Sequence, residues 1–254
     1  MAMGKIIDNL YFEASIEENL AIISFKAQAF ELITSIDDSQ VMMDFIRDVE
    51  YNHEVKGLLL LNEPECLGEA AYDTFIHSIL KEDDITDNRD VPTFIQKNKR
   101  FRQINILNRF IGFLAGYQKL VFVGISSTIV TPFMGATLVA DVRLASPKGA
   151  FSLAHRKYGL HPSGAIPFLL THYLGHSKAV EIQLADKVTA DEAFRLGLVN
   201  QILPHDRFTE NCIRYIQRYF ANYRSTLNST KRLNNYKNNG LPEYFKHEGS
   251  IINL

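Results

Sequence analysis

The sequence is poor in cysteine, tryptophan and net charge. Its 254 residues include two cysteines and no tryptophan, and the formal net charge is −2. Cys66 and Cys212 lie far apart and fit no metal or redox spacing, so we expect two free, buried thiols rather than a disulfide framework. Because the charge is close to zero, it gives no electrostatic reason to expect nucleic acid or an anionic membrane as a partner.

Long apolar segments are also missing. No run approaches the roughly 20 residues that a helix needs to cross a bilayer, and the first residues show no basic-then-apolar signal pattern. We therefore expect no membrane partner, and the two free thiols fit a reducing cytoplasm. The histidines from His155 to His176 are irregularly spaced and lack carboxylate or thiolate neighbours, so the sequence predicts no metal cofactor.

What the sequence does contain is the apolar pattern of a folded α/β domain. Hydrophobic residues make up 46% of the chain and charged residues 22%, which are ordinary values for a globular protein. Residues 21–25 predict a strand, with residues 11–15 as its hairpin partner. Asp38 or Ser39 is predicted to cap the helix that follows. The continuous apolar run at residues 55–61 is typical of a parallel strand covered on both faces, so the first third predicts a βαβ unit.

A long helix and two further strands are predicted in the middle of the chain. Residues 81–90 are acidic and polar and predict a loop, and Pro92 precedes a helical pattern. The apolar side of this helix is predicted to hold Phe101, Ile104, Leu107, Ile111 and Leu114. Its basic residues predict a solvated face, with a phosphate site as the alternative. These residues are Lys97, Lys99, Arg100 and Arg102. Residues 120–123 and 141–145 predict the two strands, with a short helix at residues 135–139 between them.

The C-terminal part of the chain is predicted to be mainly helical. Residues 165–174 and 208–220 have helical patterns, and residues 198–203 predict a strand between them. This order of elements favours an α/β core over residues 1–205 and a helical C-terminal segment over residues 206–254.

The most specific stretch of sequence is ADKVTADEAFRLGLV, residues 185–199. Thr189 is suited to cap a helix, with Glu192 as its capping-box partner, and Gly197 is suited to end that helix in a left-handed conformation. These helix signals are generic, but the string resembles the crotonase (enoyl-CoA hydratase/isomerase) superfamily. Members of that superfamily carry a Ser/Thr-Ala-x-Glu-Ala-x-x-x-Gly-Leu-Val run at this point.

Three other stretches are similar to the same superfamily, in the same order and with matching spacing. They are residues 55–68, residues 119–145 and residues 151–175. The resemblance covers most of residues 10–220, and the tail is shorter than in most members. It implies a ClpP/crotonase fold of repeated ββα units and an assembly of three chains, or of two such trimers. The segment from Lys157 to Pro162 is also similar to crotonase-like decarboxylases of polyketide biosynthesis, which act on acyl-carrier-protein thioesters.

The resemblance implies a thioester substrate. Superfamily enzymes bind acyl-CoA and hold the thioester oxygen with two backbone N–H groups while negative charge builds on it. Such donors each contribute about 3 to 4 kcal/mol in related acyl-transfer reactions. CoA, or the phosphopantetheine of a carrier protein, enters as part of the substrate, and no other cofactor is implied. Hydratases also use two glutamates as general acid and base.

Neither glutamate is present in this chain. The first falls on Gly135 and the second on His155. Because glycine cannot transfer a proton, a hydratase that uses two carboxylates is disfavoured. His155 is the titratable replacement and is our candidate for proton transfer, with a hydrogen-bonded structural histidine as the alternative. His161 and Ser163 are predicted to line the same pocket, although a Gly159–Pro162 turn explains polar residues there equally well.

The oxyanion-binding groups also depart from the superfamily pattern. The second donor falls on Pro132, which has no N–H, and Phe133 adds bulk beside it. The first donor falls near Gly68 and Glu69, where the backbone N–H is retained. Pro132, Phe133 and Gly135 are nevertheless expected to contact substrate.

Two classes of function follow from these residues. The first is an enzyme that acts on a CoA or carrier-protein thioester, as a decarboxylase or an isomerase rather than a hydratase. The second is a catalytically inactive homologue that serves as a binding or assembly module, because a fold alone does not fix a function. An open tunnel ending at His155 would favour the enzyme. A tunnel filled by Phe133 and Met134 would favour the module.

Overall fold

The computed structural model describes residues 4–80 and 94–251. The loop predicted at residues 81–90 lies outside the described residues. The strands are β1 (Gly4–Asp8), β2 (Phe12–Glu17), β3 (Leu20–Phe25), β4 (Gly57–Asn62), β5 (Leu120–Ile125), β6 (Thr128–Val130), β7 (Val142–Ala145), β8 (Ala150–Ser152), β9 (Lys187–Thr189) and β10 (Gln201–Ile202).

Helices alternate with these strands and then dominate the C-terminal part of the chain. The α-helices are α1 (Ala29–Leu32), α2 (Ile36–Tyr51), α3 (Glu69–His77), α4 (Lys97–Gly116), α5 (Phe133–Leu138), α6 (Ile166–Leu174), α7 (His176–Gln183), α8 (Ala190–Arg195), α9 (Phe208–Phe220), α10 (Arg224–Asn234) and α11 (Leu241–Ile251). Two 3-10 helices span Ala154–Tyr158 and Asn235–Asn238. None of the helices in the described part of the chain is long and apolar enough to cross a membrane.

The main sheet has seven strands in the order β1-β2-β3-β4-β5-β7-β10. The first three are antiparallel, and β3, β4, β5, β7 and β10 run parallel. Every residue of β4 is buried, which confirms the fully covered parallel strand predicted from its apolar run. The hairpin of β2 and β3 and the βαβ unit formed by β3, α2 and β4 are confirmed as well. A smaller sheet has the order β6-β8-β9.

The start of α2 corrects the sequence prediction. The helix begins at Ile36, and its N-cap is Ser35, whose hydroxyl accepts a hydrogen bond from the Asp38 N–H at 3.3 Å. Asp38 and Ser39 lie inside the first turn and are not the cap, so the predicted start was three or four residues late. Ser35 precedes two aspartates, and acidic side chains in the first turn are favourable for the helix dipole.

Helix α4 confirms one part of its prediction and contradicts another. Ile104, Leu107, Ile111 and Leu114 are buried, but Phe101 is 57% exposed. Arg100, predicted on a solvated face, is only 2% exposed. The reason is periodicity, because residue 100 precedes residue 104 by one turn on the buried stripe, while residue 101 points about 100° away.

The C-terminal segment matches its prediction more closely. Helix α9 has the predicted bounds and packs Cys212, Ile216 and Phe220 against one face of the sheet. Both cysteines are free and buried. Thr189 caps α8 by accepting from the Glu192 N–H, and Gly197 has the expected positive φ of 73°. Strand β10 is shorter than the predicted strand at residues 198–203.

The chain after α9 returns to the core through a buried ion pair. The Lys231 Nζ atom of α10 lies 2.9 Å from the carboxylate of Asp141, and the lysine side chain is 1% exposed. Asp141 also accepts a hydrogen bond from the Val121 N–H at 2.8 Å. Asp141 is therefore a structural residue at a strand end, where it ties the tail to the sheet.

Candidate functional site

The candidate site lies where α3 and α5 begin, beyond the carboxyl end of β4 and β6. Gly68 is the N-cap of α3, and Pro132 is the N-cap of α5. The two helix starts are held together because the Val130 N–H donates to the Leu67 carbonyl at 2.9 Å. Ligands in open α/β sheets commonly bind at the carboxyl ends of strands. The fold thus brings both predicted oxyanion segments to one place.

The start of α3 is fixed by the side chain of its first residue. The Glu69 carboxylate accepts from the Ser152 hydroxyl at 2.8 Å and from the Lys157 ammonium at 2.5 Å. The hydrogen bond from Lys157 is the largest cause that holds the pKa of Glu69 below its ordinary value. The backbone N–H of Glu69 lies in the first helical turn, where such groups have no partner within the helix. It is thus able to bind a developing oxyanion.

His155 lies in the 3-10 helix that faces these segments. Its side chain is 4% exposed, and its Nδ1 atom is 3.0 Å from the Thr131 hydroxyl. Burial lowers the pKa of His155 to about 4, and the positive charges of Arg156 and Arg100 act in the same direction. His155 is consequently neutral at physiological pH, and the Thr131 contact leaves Nε2 as the nitrogen for any further interaction.

Gly135 occupies a place where no side chain fits. A Cβ atom built on it would lie 1.8 Å from the carbonyl oxygen of Gly164 and 3.1 Å from Cδ1 of Ile111. Gly164 itself has a positive φ of 78°. The segment around Gly164 therefore fills the space of the side chain that a glutamate would need here.

Phe133 and Met134 fill the interior beside Gly135. Phe133 is buried, with its ring 5.2 Å from that of Phe30 and 5.9 Å from that of Phe25. The cavity that remains between the Phe25 and Phe133 rings and the ends of β4 and β5 is about 20 Å³, and its lining includes Leu67. A cavity of that size is suited to one water molecule. Phe133 therefore leaves no room beside it for a larger group in this conformation.

His161 and Ser163 lie near His155 in the chain but face different surroundings. Ser163 is buried, while the exposed His161 lines a cavity of about 260 Å³ with Tyr244 and Glu248. His155 is not among the residues that line this cavity. Tyr72 is a buried residue of α3, and its neighbour Asp73 accepts a hydrogen bond from Tyr158, whose 3-10 helix also holds His155.

Three polar residues are buried where the sequence analysis did not predict it. Arg100 and Gln103 of α4 form a hydrogen-bonded pair. Glu248 of α11 accepts from the backbone N–H groups of Gly164 at 3.1 Å and Ala165 at 2.9 Å. The helical period could have placed Arg100 on the buried stripe. No local signal could have placed Glu248, because its contacts are made across 83 or more residues.

Other features of the described residues do not point to a second chemistry. A cavity of about 560 Å³ lies between the C-terminal half of α4 and the tail, and its lining includes none of the predicted site residues. Within residues 4–80 and 94–251, no cluster of three or more histidine, cysteine or acidic side chains is arranged to hold a metal ion.

Comparison with known proteins matches this chain repeatedly to enoyl-CoA hydratases and isomerases. The family model described as enoyl-CoA hydratase/isomerase matches residues 134–252. A probable enoyl-CoA hydratase of Mycobacterium leprae is 25% identical over 226 residues, which cover 84% of this chain and 74% of that protein. A probable enoyl-CoA hydratase of Mycobacterium tuberculosis is 29% identical over 133 residues, which cover 52% of this chain and 47% of that protein.

Solved structures of the same kind share the fold. A probable enoyl-CoA hydratase/isomerase from Mycobacterium abscessus has a TM-score of 0.69 at 20% identity, covering 95% of this chain and 88% of that one. An enoyl-CoA hydratase/isomerase from Cupriavidus metallidurans has a TM-score of 0.71 at 18% identity, covering 96% and 89%. A monofunctional enoyl-CoA isomerase from Mycobacterium smegmatis has a TM-score of 0.64 at 20% identity, covering 88% and 91%.

Proposed function

We propose that the chain is a divergent member of the crotonase (enoyl-CoA hydratase/isomerase) superfamily, and that it is an acyl-thioester isomerase rather than a hydratase. The observation that carries the proposal is the neutral, buried His155 at the position of a superfamily glutamate, near the start of α3, where the Glu69 N–H has no partner within the helix. The relatives named above as hydratases and isomerases support an enoyl-CoA as the substrate.

The proton affinity of His155 suits the role of a base. Its pKa of about 4 is close to the ordinary value of about 4.3 for glutamate. His155 is therefore unprotonated at neutral pH and has nearly the basicity of the carboxylate that it replaces. Thr131 positions the ring through Nδ1 and leaves Nε2 for the substrate.

A single base is sufficient to move a double bond. His155 removes a proton from the carbon next to the thioester carbonyl of a β,γ-unsaturated acyl group, and the electron pair delocalises onto the carbonyl oxygen. The same proton is then returned to the γ carbon, which leaves the double bond in conjugation with the carbonyl. Hydration, by contrast, needs a base to activate water and an acid to protonate carbon. Gly135 cannot supply the second group.

The oxyanion of this intermediate is held by backbone N–H groups. The N–H of Glu69 is one donor, and each donor of this kind contributes about 3 to 4 kcal/mol in comparable reactions. Pro132 offers none, so the second donor is the N–H of Phe133, the next residue of α5. The movement that admits substrate must therefore keep α5 in place while the Phe133 side chain turns away.

An inactive binding module is the second candidate function. It is favoured by the 20 Å³ cavity beside Phe133 and by the contact that excludes a side chain at Gly135.

Decarboxylation, which requires an oxyanion site but no base, is the alternative chemistry for an active enzyme. By resemblance to the superfamily we also propose a cytoplasmic trimer or hexamer, which the mass of the protein in solution tests. A carrier-protein thioester is the alternative to CoA.

Binding and turnover separate these candidates. In calorimetric titration, we expect an unreactive enoyl-CoA analogue to bind more tightly than free CoA. We expect His155→Ala to lower isomerase turnover by about 10²-fold or more, because general acid–base groups typically contribute 10²–10⁴-fold. His205→Ala is the matched control, since His205 is an exposed histidine outside the site. If His155→Ala lowers isomerase turnover by less than about tenfold, His155 is not the catalytic base. If titration with CoA and carrier-protein thioesters releases no heat, the inactive binding module is favoured.

A further inference from the structure

Arg100 is a buried cation with unused hydrogen-bond donors. Its side chain is 2% exposed and lies with one face toward the Phe94 ring, 5.6 Å from the ring centre. One terminal nitrogen donates to the Gln103 side-chain oxygen. The Arg100 Nε atom and the Gln103 Nε2 atom are both buried without a partner among the described residues. Two adjacent donors on one face of α4 are therefore able to bind a ligand.

Within residues 4–80 and 94–251, no counter-ion accompanies this charge, because no carboxylate there lies within ion-pair distance of the Arg100 guanidinium. Glu248 interacts with it at longer range, but its carboxylate is already bonded to the N–H groups of Gly164 and Ala165. A buried charge without a partner is strongly unfavourable, so such groups are normally paired.

The position of Arg100 associates it with the proposed active site. Its charge is close enough to lower the pKa of His155, and it interacts with the buried hydroxyl of Tyr72 on α3. The same face of α4 carries Leu107, one turn after Gln103, and the Leu107 side chain lies next to Gly164. Arg100 and Gln103 therefore lie on the face of α4 that packs against the proposed site.

We infer that Arg100 and Gln103 bind a carboxylate at the far end of the acyl group, so that the substrate is the thioester of a dicarboxylic acid. The planar guanidinium matches the geometry of a carboxylate, and the Gln103 amide adds a neutral donor beside it. The negative charge of the ligand supplies the counter-ion that the described residues do not provide. This inference rests on the proposed function, since it assigns the substrate class of the same site.

The test compares two saturated, unreactive thioesters of equal chain length. We expect the wild-type protein to bind glutaryl-CoA at least about tenfold more tightly than pentanoyl-CoA in calorimetric titration, because hydrogen bonds to charged groups are among the stronger ones. Arg100→Met should abolish this preference and change pentanoyl-CoA affinity by less than about threefold. Arg102→Met is the matched control, because Arg102 is an exposed arginine on the same helix, and it should retain the preference.

A second readout does not depend on ligand. Because Arg100→Met removes a buried charge and preserves much of the volume, we expect its melting temperature without ligand to equal or exceed that of the wild type. Equal binding of the two thioesters by the wild type, or a preference that survives in Arg100→Met, overturns the inference and leaves the proposed function intact. Failure of both thioesters to bind contradicts the proposed function and the inference together.

Discussion

At the scale of single residues, the site departs from superfamily chemistry at positions that the sequence already exposes. The replacements at Gly135, Pro132 and His155 are visible in the sequence itself once the superfamily pattern is aligned with it. Their consequences are not visible there, because they depend on distant backbone. The closeness of Gly164 to Gly135 and the burial of His155 come from tertiary packing. The sequence therefore predicts which groups are missing, and the structure explains what fills their places.

The close packing around Gly135 predicts that a single added methyl group strongly destabilises the protein. Gly135→Ala places a methyl group 1.8 Å from the Gly164 carbonyl oxygen, so the backbone must shift. We expect the free energy of unfolding to fall by about 2 kcal/mol or more in urea denaturation, since overpacking typically costs about 1 to 3 kcal/mol.

Gly116 provides the control for this substitution. It lies at the end of α4, and a Cβ atom added to it would have no neighbouring atom within 4 Å. Gly116→Ala should therefore be neutral or stabilising by up to about 1 kcal/mol. If Gly135→Ala were as stable as the wild type, the segment around Gly164 would not occupy this position as described.

The depressed pKa of His155 predicts a pH-dependent stability. Its folded-state pKa of about 4 lies below the unfolded value of about 6.5, so the unfolded chain binds more protons between these limits. The contribution of neutral His155 is fully present above pH ~6.5 and is lost as the pH falls toward ~4. A shift of this size corresponds to up to about 3 kcal/mol.

Comparison with His155→Gln isolates this contribution from other titrating groups. We expect the wild type to lose about 2 to 3 kcal/mol more than His155→Gln between pH 7 and pH 4.5, measured by denaturant unfolding at each pH. Identical pH profiles for the two proteins would mean that His155 titrates normally in the folded state.

At the scale of elements, the sequence predicts helices and strands well where period and composition agree. The apolar run of β4 and the amphipathic pattern of α9 predict the correct types and nearly correct bounds. The predicted start of α2 was wrong because Ser35, Asp38 and Ser39 are all favourable caps, and only geometry distinguishes them. The predicted exposure of Arg100 was wrong because its charge favours solvent, whereas its position on the helical stripe places it inside.

The cap of α2 gives a prediction at this scale. Ser35→Ala removes the acceptor for the Asp38 N–H and should lower the free energy of unfolding by about 1 kcal/mol. Ser35→Asp supplies another good cap acceptor and should cost much less. If both variants lose the same amount in urea denaturation, the Ser35 side chain does not cap this helix.

At the scale of the whole molecule, the resemblance in four ordered blocks was enough to predict the crotonase fold. The placement of the tail could not be predicted in this way. The contacts of Glu248 and Lys231 with the core join residues far apart in sequence, and neither residue belongs to a recognisable motif. The tail closes over α4 and the start of α6, which are the elements that hold Arg100 and the segment facing Gly135.

The buried pair of Lys231 and Asp141 predicts how firmly the tail is attached. Lys231→Met leaves Asp141 without its partner, and we expect the free energy of unfolding to fall by about 2 kcal/mol or more. Lys231→Met combined with Asp141→Asn should lose less than the sum of the two single changes. Additive losses in urea denaturation would mean that the two side chains contribute independently.

The most direct test of the proposed chemistry is product analysis with one substrate. Wild-type protein is incubated with a β,γ-unsaturated acyl-CoA, and the products are separated and identified by mass. A conjugated isomer of unchanged mass, with no product heavier by one water, is the predicted result. Accumulation of a hydrated product would contradict the assignment of His155 as a sole base, and recovery of unchanged substrate would contradict an isomerase.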